Sequence, residues 1–206
     1  MTVEKLQLGA LPTNCYIVKC GDEAVIIDPA ENDARTQGLL NECKSVRVFL
    51  THGHFDHTQG VAKLSGLGAK VYIHKDDTDL LASSRLSMAD DFGFSHIPSR
   101  ADFTFSDGDR FTFGDTEIKV IHTPGHTRGS CCFIIGDALF CGDTVFRGSV
   151  GRTDAYGGDT KALMNSLQKL KKLQKNYKIY PGHGPASDLD YEKQHNVFML
   201  RENYGF

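Results

Sequence analysis

The sequence has no long apolar run, no paired-cysteine motif, no excess of basic charge and no tract of biased composition, and each lack removes a class of protein. Its greasiest stretch, Cys131 to Cys141, is interrupted by Asp137 and falls short of the roughly 18 apolar residues that a bilayer-crossing helix needs. The opening Met1-Thr-Val-Glu-Lys5 carries neither the basic lead nor the apolar core of a secretory signal, so a cytoplasmic address and no membrane partner are expected. The cysteines at 15, 20, 43, 131, 132 and 141 form no Cys-x-x-Cys pair; buried free thiols are expected rather than a zinc finger. A net charge of −3 offers no overall attraction to nucleic acid. The lysines between Lys161 and Lys178 read as the solvated face of a helix. With no repeat and no linker in 206 residues, 40% hydrophobic and 24% charged, one domain over 1–206 is expected.

What is there is a recurring grammar. Short β-branched and aromatic runs end in turn residues: Tyr16 to Lys19, Ala24 to Ile27 before Asp28-Pro29, Val46 to Leu50 before Thr51-His52, Val71 to Ile73, Ile118 to Ile121 before His122-Thr-Pro-Gly125, Cys132 to Ile135, Ala138 to Cys141, and Lys178 to Tyr180 before Pro181-Gly182. Helical patterns lie between them at Asp33 to Cys43, Thr58 to Leu67, Asp76 to Ala82 and Thr160 to Leu173, the last with Leu163, Leu167, Leu170 and Leu173 on one face. Ser83 to Arg100 reads as irregular. Gly136-Asp137 between two runs predicts a two-residue hairpin. The expected class is α/β, with two mixed sheets face to face and helices outside.

Chemistry collects at the strand ends. His52-Gly-His54-Phe-Asp56-His57 puts four potential metal ligands within six residues of a loop, and Gly53 lets the backbone bend sharply enough to aim them together. Imidazoles with a neighbouring carboxylate suit first-row ions and a hydrolytic site. Three more segments each place a ligand-type residue beside turn formers after a strand: Thr123-Pro-Gly-His126, Cys141-Gly-Asp143 and Tyr180-Pro-Gly-His183. Asp28 and Thr51 end strands nearby, where they can orient ligands or cap a turn. His74, His96, His122 and His195 lack ligand-type neighbours at useful spacing and are read as surface or satisfied histidines.

His-x-His-x-Asp-His, then a lone His, an Asp and a final His, resembles the metallo-β-lactamase superfamily over nearly the whole chain. The resemblance implies an αββα sandwich with its site at one edge of the sheets. It implies two divalent ions, zinc first, with iron or manganese as alternatives: His52, His54 and His126 on one, Asp56, His57 and His183 on the other, and Asp143 bridging. Position 143 is Asp where lactam-cleaving members are expected to carry Cys or Ser, and His54 stands where the flavodiiron branch has Glu. Gly148-Ser-Val-Gly-Arg152-Thr-Asp154, Tyr180-Pro-Gly-His-Gly-Pro185 and Glu192-Lys-Gln-His-Asn196-Val-Phe198 look like small bacterial glyoxalase II-type hydrolases, although Val197 stands where Pro is usual. Gly-Arg-Thr-Asp also occurs in persulfide dioxygenases. Full-length glyoxalase II resembles this chain plus a C-terminal helical domain that grips glutathione. The present sequence ends 23 residues after His183, so that grip is expected to be missing or built differently.

The expected function is a dinuclear metal-dependent thioester hydrolase acting on a small molecule such as S-D-lactoylglutathione. Alternatives are a mononuclear iron persulfide dioxygenase using His54 or His52 with His126 and Asp143, and a lactonase. Asp56 and Asp143 are the expected catalytic carboxylates, and Arg152 and Tyr156 the expected substrate contacts. A paired-ion site lowers the pKa of water from 15.7 to about 7. A thiol leaving group of pKa near 8.5 then departs without full protonation, which an amide nitrogen does not. The oligomeric state is open.

Overall fold

The computed structural model describes residues 1–201. One sheet runs in sequence order through β1 (Thr2–Leu8), β2 (Thr13–Cys20), β3 (Glu23–Ile27), β4 (Ser45–Phe49), β5 (Lys70–His74) and β6 (Phe103–Phe105). Its first three strands are antiparallel and its last four parallel. Parallel neighbours need crossovers, which are supplied by α1 (Ala34–Glu42) and then by α2 (Phe55–Thr58) with α3 (Val61–Gly66). A short α4 (Ala89–Phe92) lies between β5 and β6.

The second sheet contains β7 (Arg110–Phe113), β8 (Thr116–His122), β9 (Cys131–Ile135), β10 (Ala138–Gly142), β13 (Lys178–Pro181) and β14 (Ser187–Asp188), in the spatial order 14-13-10-9-8-7. Only β10 and β13 pair in parallel there, and the chain between them holds a ribbon of β11 (Val145–Phe146) and β12 (Ser149–Val150) and then α5 (Thr160–Lys171). Helices α6 (Leu189–His195) and α7 (Val197–Leu200) follow. The family-implied arrangement of two mixed sheets flanked by helices is therefore what the chain adopts.

Strand sequences look continuously apolar because both faces of each sheet are covered. Between the sheets lie Tyr16, Val18, Val25, Ile27, Phe49, Phe133 and Phe140. The alternate residues Ile17, Ala24, Ile26 and Val48 face α1 and α3 with Leu39, Val61 and Leu64. On the far side of the second sheet, Leu163, Leu167 and Leu170 of α5 pack on Cys132, Leu139, Cys141 and Ile179. Asp33 caps α1 by accepting from the amides of Arg35 and Thr36, and Asp159 caps α5 at Ala162. All six cysteines are free and five are buried. On the exposed lysine face, Lys169 and Lys175 pair with Asp107 and Asp137.

The hairpin falls at Gly136-Asp137, with Gly136 at φ 59°. Elsewhere the pattern was incomplete. The helix expected over Thr58 to Leu67 starts earlier, at Phe55, and breaks at Gly60, where a β-carbon would lie 2.8 Å from the Pro29 carbonyl oxygen. Asp76 to Ala82 winds as two 3₁₀ turns, Lys75–Asp77 and Leu80–Ala82. Strands β1, β6 and β7 had no expectation; they lie at sheet edges and are largely exposed, which blurs the apolar alternation. Among the described residues, no helix is long and apolar enough to cross a membrane.

Candidate metal centre

The histidines and aspartates singled out from the sequence come from four separate connections at one edge of the sandwich. The turn after β4 carries Thr51 to His54, α2 carries Asp56 and His57, and the turns after β8, β10 and β13 carry His126, Asp143 and His183. One donor atom from each of His52, His54 and His126 lies within 4.8 Å of the others, and Asp56, His57 and His183 form a second such group. Asp143 reaches both: Oδ2 is 3.6 Å from His126 Nε2 and 3.6 Å from His183 Nε2, and Oδ1 is 3.5 Å from His57 Nε2.

Hydrogen bonds fix which imidazole nitrogen is bare. Buried Asp28 accepts from the Thr51 amide at 2.8 Å and the Thr51 hydroxyl at 2.6 Å. That hydroxyl has spent its only proton, so His52 Nδ1, 3.0 Å away, must donate to it. His52 Nε2 is left with a lone pair and no partner. His57 Nδ1 donates to Asp28 Oδ2 at 2.9 Å, and His126 Nδ1 donates to the Arg152 carbonyl at 2.8 Å. Their Nε2 atoms face inward, that of His126 accepting from His54 Nδ1 at 2.9 Å. Such outward bonds select the tautomer and aim the ring of a metal-binding histidine.

Charge follows the same division. Burial, reinforced by the neighbouring imidazoles, drives His52 and His54 well below the ordinary histidine pKa, so both are neutral. Burial also opposes charge on His57, but Asp56, Asp143 and Asp28 overcome it and raise the group to about 10. Burial would lift Asp56, yet His57 and His183 hold its carboxyl below the usual carboxylate range. A proton on His57 thus stands in for positive charge that the carboxylates attract.

The donor set fits a pair of cations by an observation independent of motif. His52 Nε2, His57 Nε2 and Asp143 Oδ1 are buried without hydrogen-bond partners, a combination that is expensive unless something else satisfies them, and His54 turns its Nδ1 toward His126 Nε2 at 2.9 Å. The backbone also leaves room: a β-carbon on Gly182 would overlap Asp143 Oδ1 and come within 2.7 Å of His57 Cε1.

The sequence pattern of the metallo-beta-lactamase superfamily matches residues 8–183. The chain belongs to this superfamily. It is similar to BLEG-1, described as a B3 metallo-β-lactamase, with 32% identity, 97% of this chain and 100% of that one covered, and a TM-score of 0.89. It is similar to TTHA1623, solved in a di-iron-bound form, with 36% identity over 95% and 99% of the two chains and a TM-score of 0.83. It is also 30% identical to a hydroxyacylglutathione hydrolase of Tolumonas auensis, over 95% of this chain and 74% of that protein.

Within this superfamily site, a cavity of about 140 Å³ opens over the donor atoms. Leu11, Phe55, Met88 and Phe92 form an apolar wall, and Arg152 lies on its rim. Met88 sits at φ 68°, a left-handed backbone that a residue other than glycine rarely adopts, and points its side chain into this wall. Of the two expected substrate contacts, only Arg152 lines the cavity. Its guanidinium is paired with Asp154 at 2.7 and 2.9 Å. Tyr156 does not line it; its ring lies 5.5 Å from the Arg128 guanidinium.

Two features had no local signal. Asp77 is fully buried beside the ligand loops, yet Asp76 and Asp77 read only as the start of the helical pattern that runs to Ala82. His74 and His122, each of which the sequence reads as a surface or satisfied histidine, stack on each other at 4.1 Å and 10°, and Asp76 joins them in a further group of possible donors. Parallel rings keep their in-plane lone pairs in separate layers, and His122 Nε2 is bonded to the Arg128 carbonyl, so these two imidazoles do not converge on one ion.

Proposed function

We propose that the chain is a dinuclear metal-dependent hydrolase of thioesters, of the glyoxalase II type, acting on S-D-lactoylglutathione or a similar S-acyl thiol. The carrying observation is what the cavity lacks: among the described residues lining it, every titratable side chain except Arg152 is one of the seven proposed ligands. Arginine stays protonated and gives up no proton. No side chain outside the proposed ligands is therefore there to protonate a leaving group, which suits a thiolate of parent pKa near 8.5 better than an amide nitrogen. His52, His54 and His126 would hold one cation, Asp56, His57 and His183 a second, and Asp143 would serve both; such a pair would lower the pKa of water and polarise a carbonyl. Asp28 orients His57, Thr51 orients His52, and Asp56, whose Oδ2 lies 3.2 Å from His183 Nε2, would accept the proton of the attacking water. The apolar wall limits competing water around the acyl group.

Zinc is the proposed metal, because the donor set is rich in imidazole; the di-iron form of TTHA1623 makes iron the competitor. The test is a substrate panel on protein loaded in turn with zinc, iron or manganese: S-D-lactoylglutathione, an acyl-homoserine lactone, a β-lactam, and glutathione persulfide with oxygen uptake followed. Thioester cleavage should dominate, and His57→Ala or Asp143→Ala should remove most of it. Full turnover by metal-stripped protein overturns the reading, while oxygen uptake with one iron per chain selects the persulfide dioxygenase.

A further inference from the structure

Asp77 is a carboxylate that the mechanism above does not use. It follows β5 directly, its side chain is fully buried, and its partners are three neutral donors. Oδ2 accepts from the Gly53 amide at 3.0 Å and the Thr127 hydroxyl at 2.7 Å, and Oδ1 accepts from the Gly129 amide at 2.7 Å. Gly53 sits between His52 and His54, and Thr127 follows His126. One carboxylate thus ties together the two loops that carry the three-histidine group, which are otherwise more than seventy residues apart in sequence.

Both loops approach it through glycine. A β-carbon on Gly129 would lie 2.6 Å from Asp77 Cγ, and one on Gly53 would lie 3.1 Å from the Asp77 carbonyl oxygen. The backbone is therefore pressed against this residue on both sides. Burying a carboxylate without a basic partner is unfavourable, and burial does raise the Asp77 pKa while the Thr127 and glycine donors oppose that rise. A neutral side chain would make the tie with less desolvation. What a carboxylate adds is acceptor capacity for all three donors at once and a negative charge behind imidazoles that would carry a cation.

We infer that Asp77 is a positioning residue for the ion held by His52, His54 and His126, fixing the spacing of the two ligand loops without itself being a ligand. Asp28 contrasts with it. Asp28 grips ligand rings through their Nδ1 atoms and Thr51, on the side of His57, whereas Asp77 grips backbone and serves only the three-histidine side. The inference rests on the metal-centre part of the proposed function and not on its thioester part.

Zinc binding tests it without any substrate. Zinc dissociation constants are measured by chelator competition in two backgrounds: His183→Ala, which leaves the three-histidine group intact, and His126→Ala, which leaves the other. Adding Asp77→Asn should weaken zinc by about 10–100-fold in the first background, the usual loss when an outer partner of a metal ligand is removed, and leave the second unchanged. Asp76→Asn should change neither. Equal weakening in both backgrounds, or none in the first, overturns the role of Asp77; a wild-type chain that binds no zinc, iron or manganese overturns the centre itself. Melting of the metal-free variants checks that they fold. If Asp77→Asn does not, Thr127→Val replaces it, removing one of the three donors, and a smaller loss confined to the first background is then expected, with no loss there overturning the proposal.

Discussion

Asp28 shows how single side chains outside the donor groups set the site. It sits at φ 53°, a left-handed conformation that Asp and Asn tolerate better than most residues, and this kink turns its carboxylate back toward Thr51 and His57. Asp28→Asn keeps the backbone tolerance and most of the volume but presents an amide group to donors that need an acceptor. The expected outcome is metal binding weaker by about 10–100-fold with little change in the melting of the metal-free chain, read by zinc titration and calorimetry. A variant that binds metal as tightly as the parent would show that His57 needs no carboxylate at Nδ1.

At the scale of elements, the ligands are held by connections, and the connections are held by what packs behind them. The clearest contact is between α5 and the loop that carries His126. Gly125, at φ 138°, is where a β-carbon would overlap the backbone of Leu163; the Asp159 amide donates to the Gly125 carbonyl at 2.8 Å, and the Ser166 hydroxyl donates to the Pro124 carbonyl at 2.7 Å. Helix α5 is therefore both a cover for the second sheet and a rear support for one ligand. Gly125→Ala should destabilise the fold by more than about 2 kcal/mol, because backbone strain and overpacking coincide, and should weaken metal binding as well. Denaturant unfolding measures the first effect; an unchanged midpoint would mean that the loop can retreat from the helix. The 83–100 stretch works differently. It has little regular structure, yet Met88 and Phe92 bring apolar surface over the donor atoms.

For the whole molecule, the apolar layers between and outside the sheets contain none of the seven proposed ligands, so the metal-free chain should stay folded. Its stability should nevertheless depend on pH through the centre. In the metal-free fold His57 titrates near 10 against an ordinary 6.5, so the fold binds its proton more tightly than the unfolded chain does. The resulting stabilisation is full below pH 6.5 and is lost as pH rises toward 10. Metal-loaded protein should lack this decline, because His57 must shed that proton to serve as a ligand. Melting the metal-free protein across this range checks it, and a flat or rising profile would contradict the charge assignment.

The sequence alone determined what depends on short-range order. Strand runs, the Gly136-Asp137 hairpin, the capped helices after Asp33 and Asp159 and all seven proposed ligands follow from residue periodicity and from polar residues placed just beyond strand ends. Only tertiary structure decided what depends on convergence. Edge strands with weak alternation, the break at Gly60, the stacking of His74 on His122, the placement of Tyr156 away from the cavity and the burial of Asp77 between two ligand loops each arise when segments distant in sequence compete for the same space. An acidic pair opening a helical pattern looks the same whether water or three buried donors will surround it; the packing of the layers chooses between them.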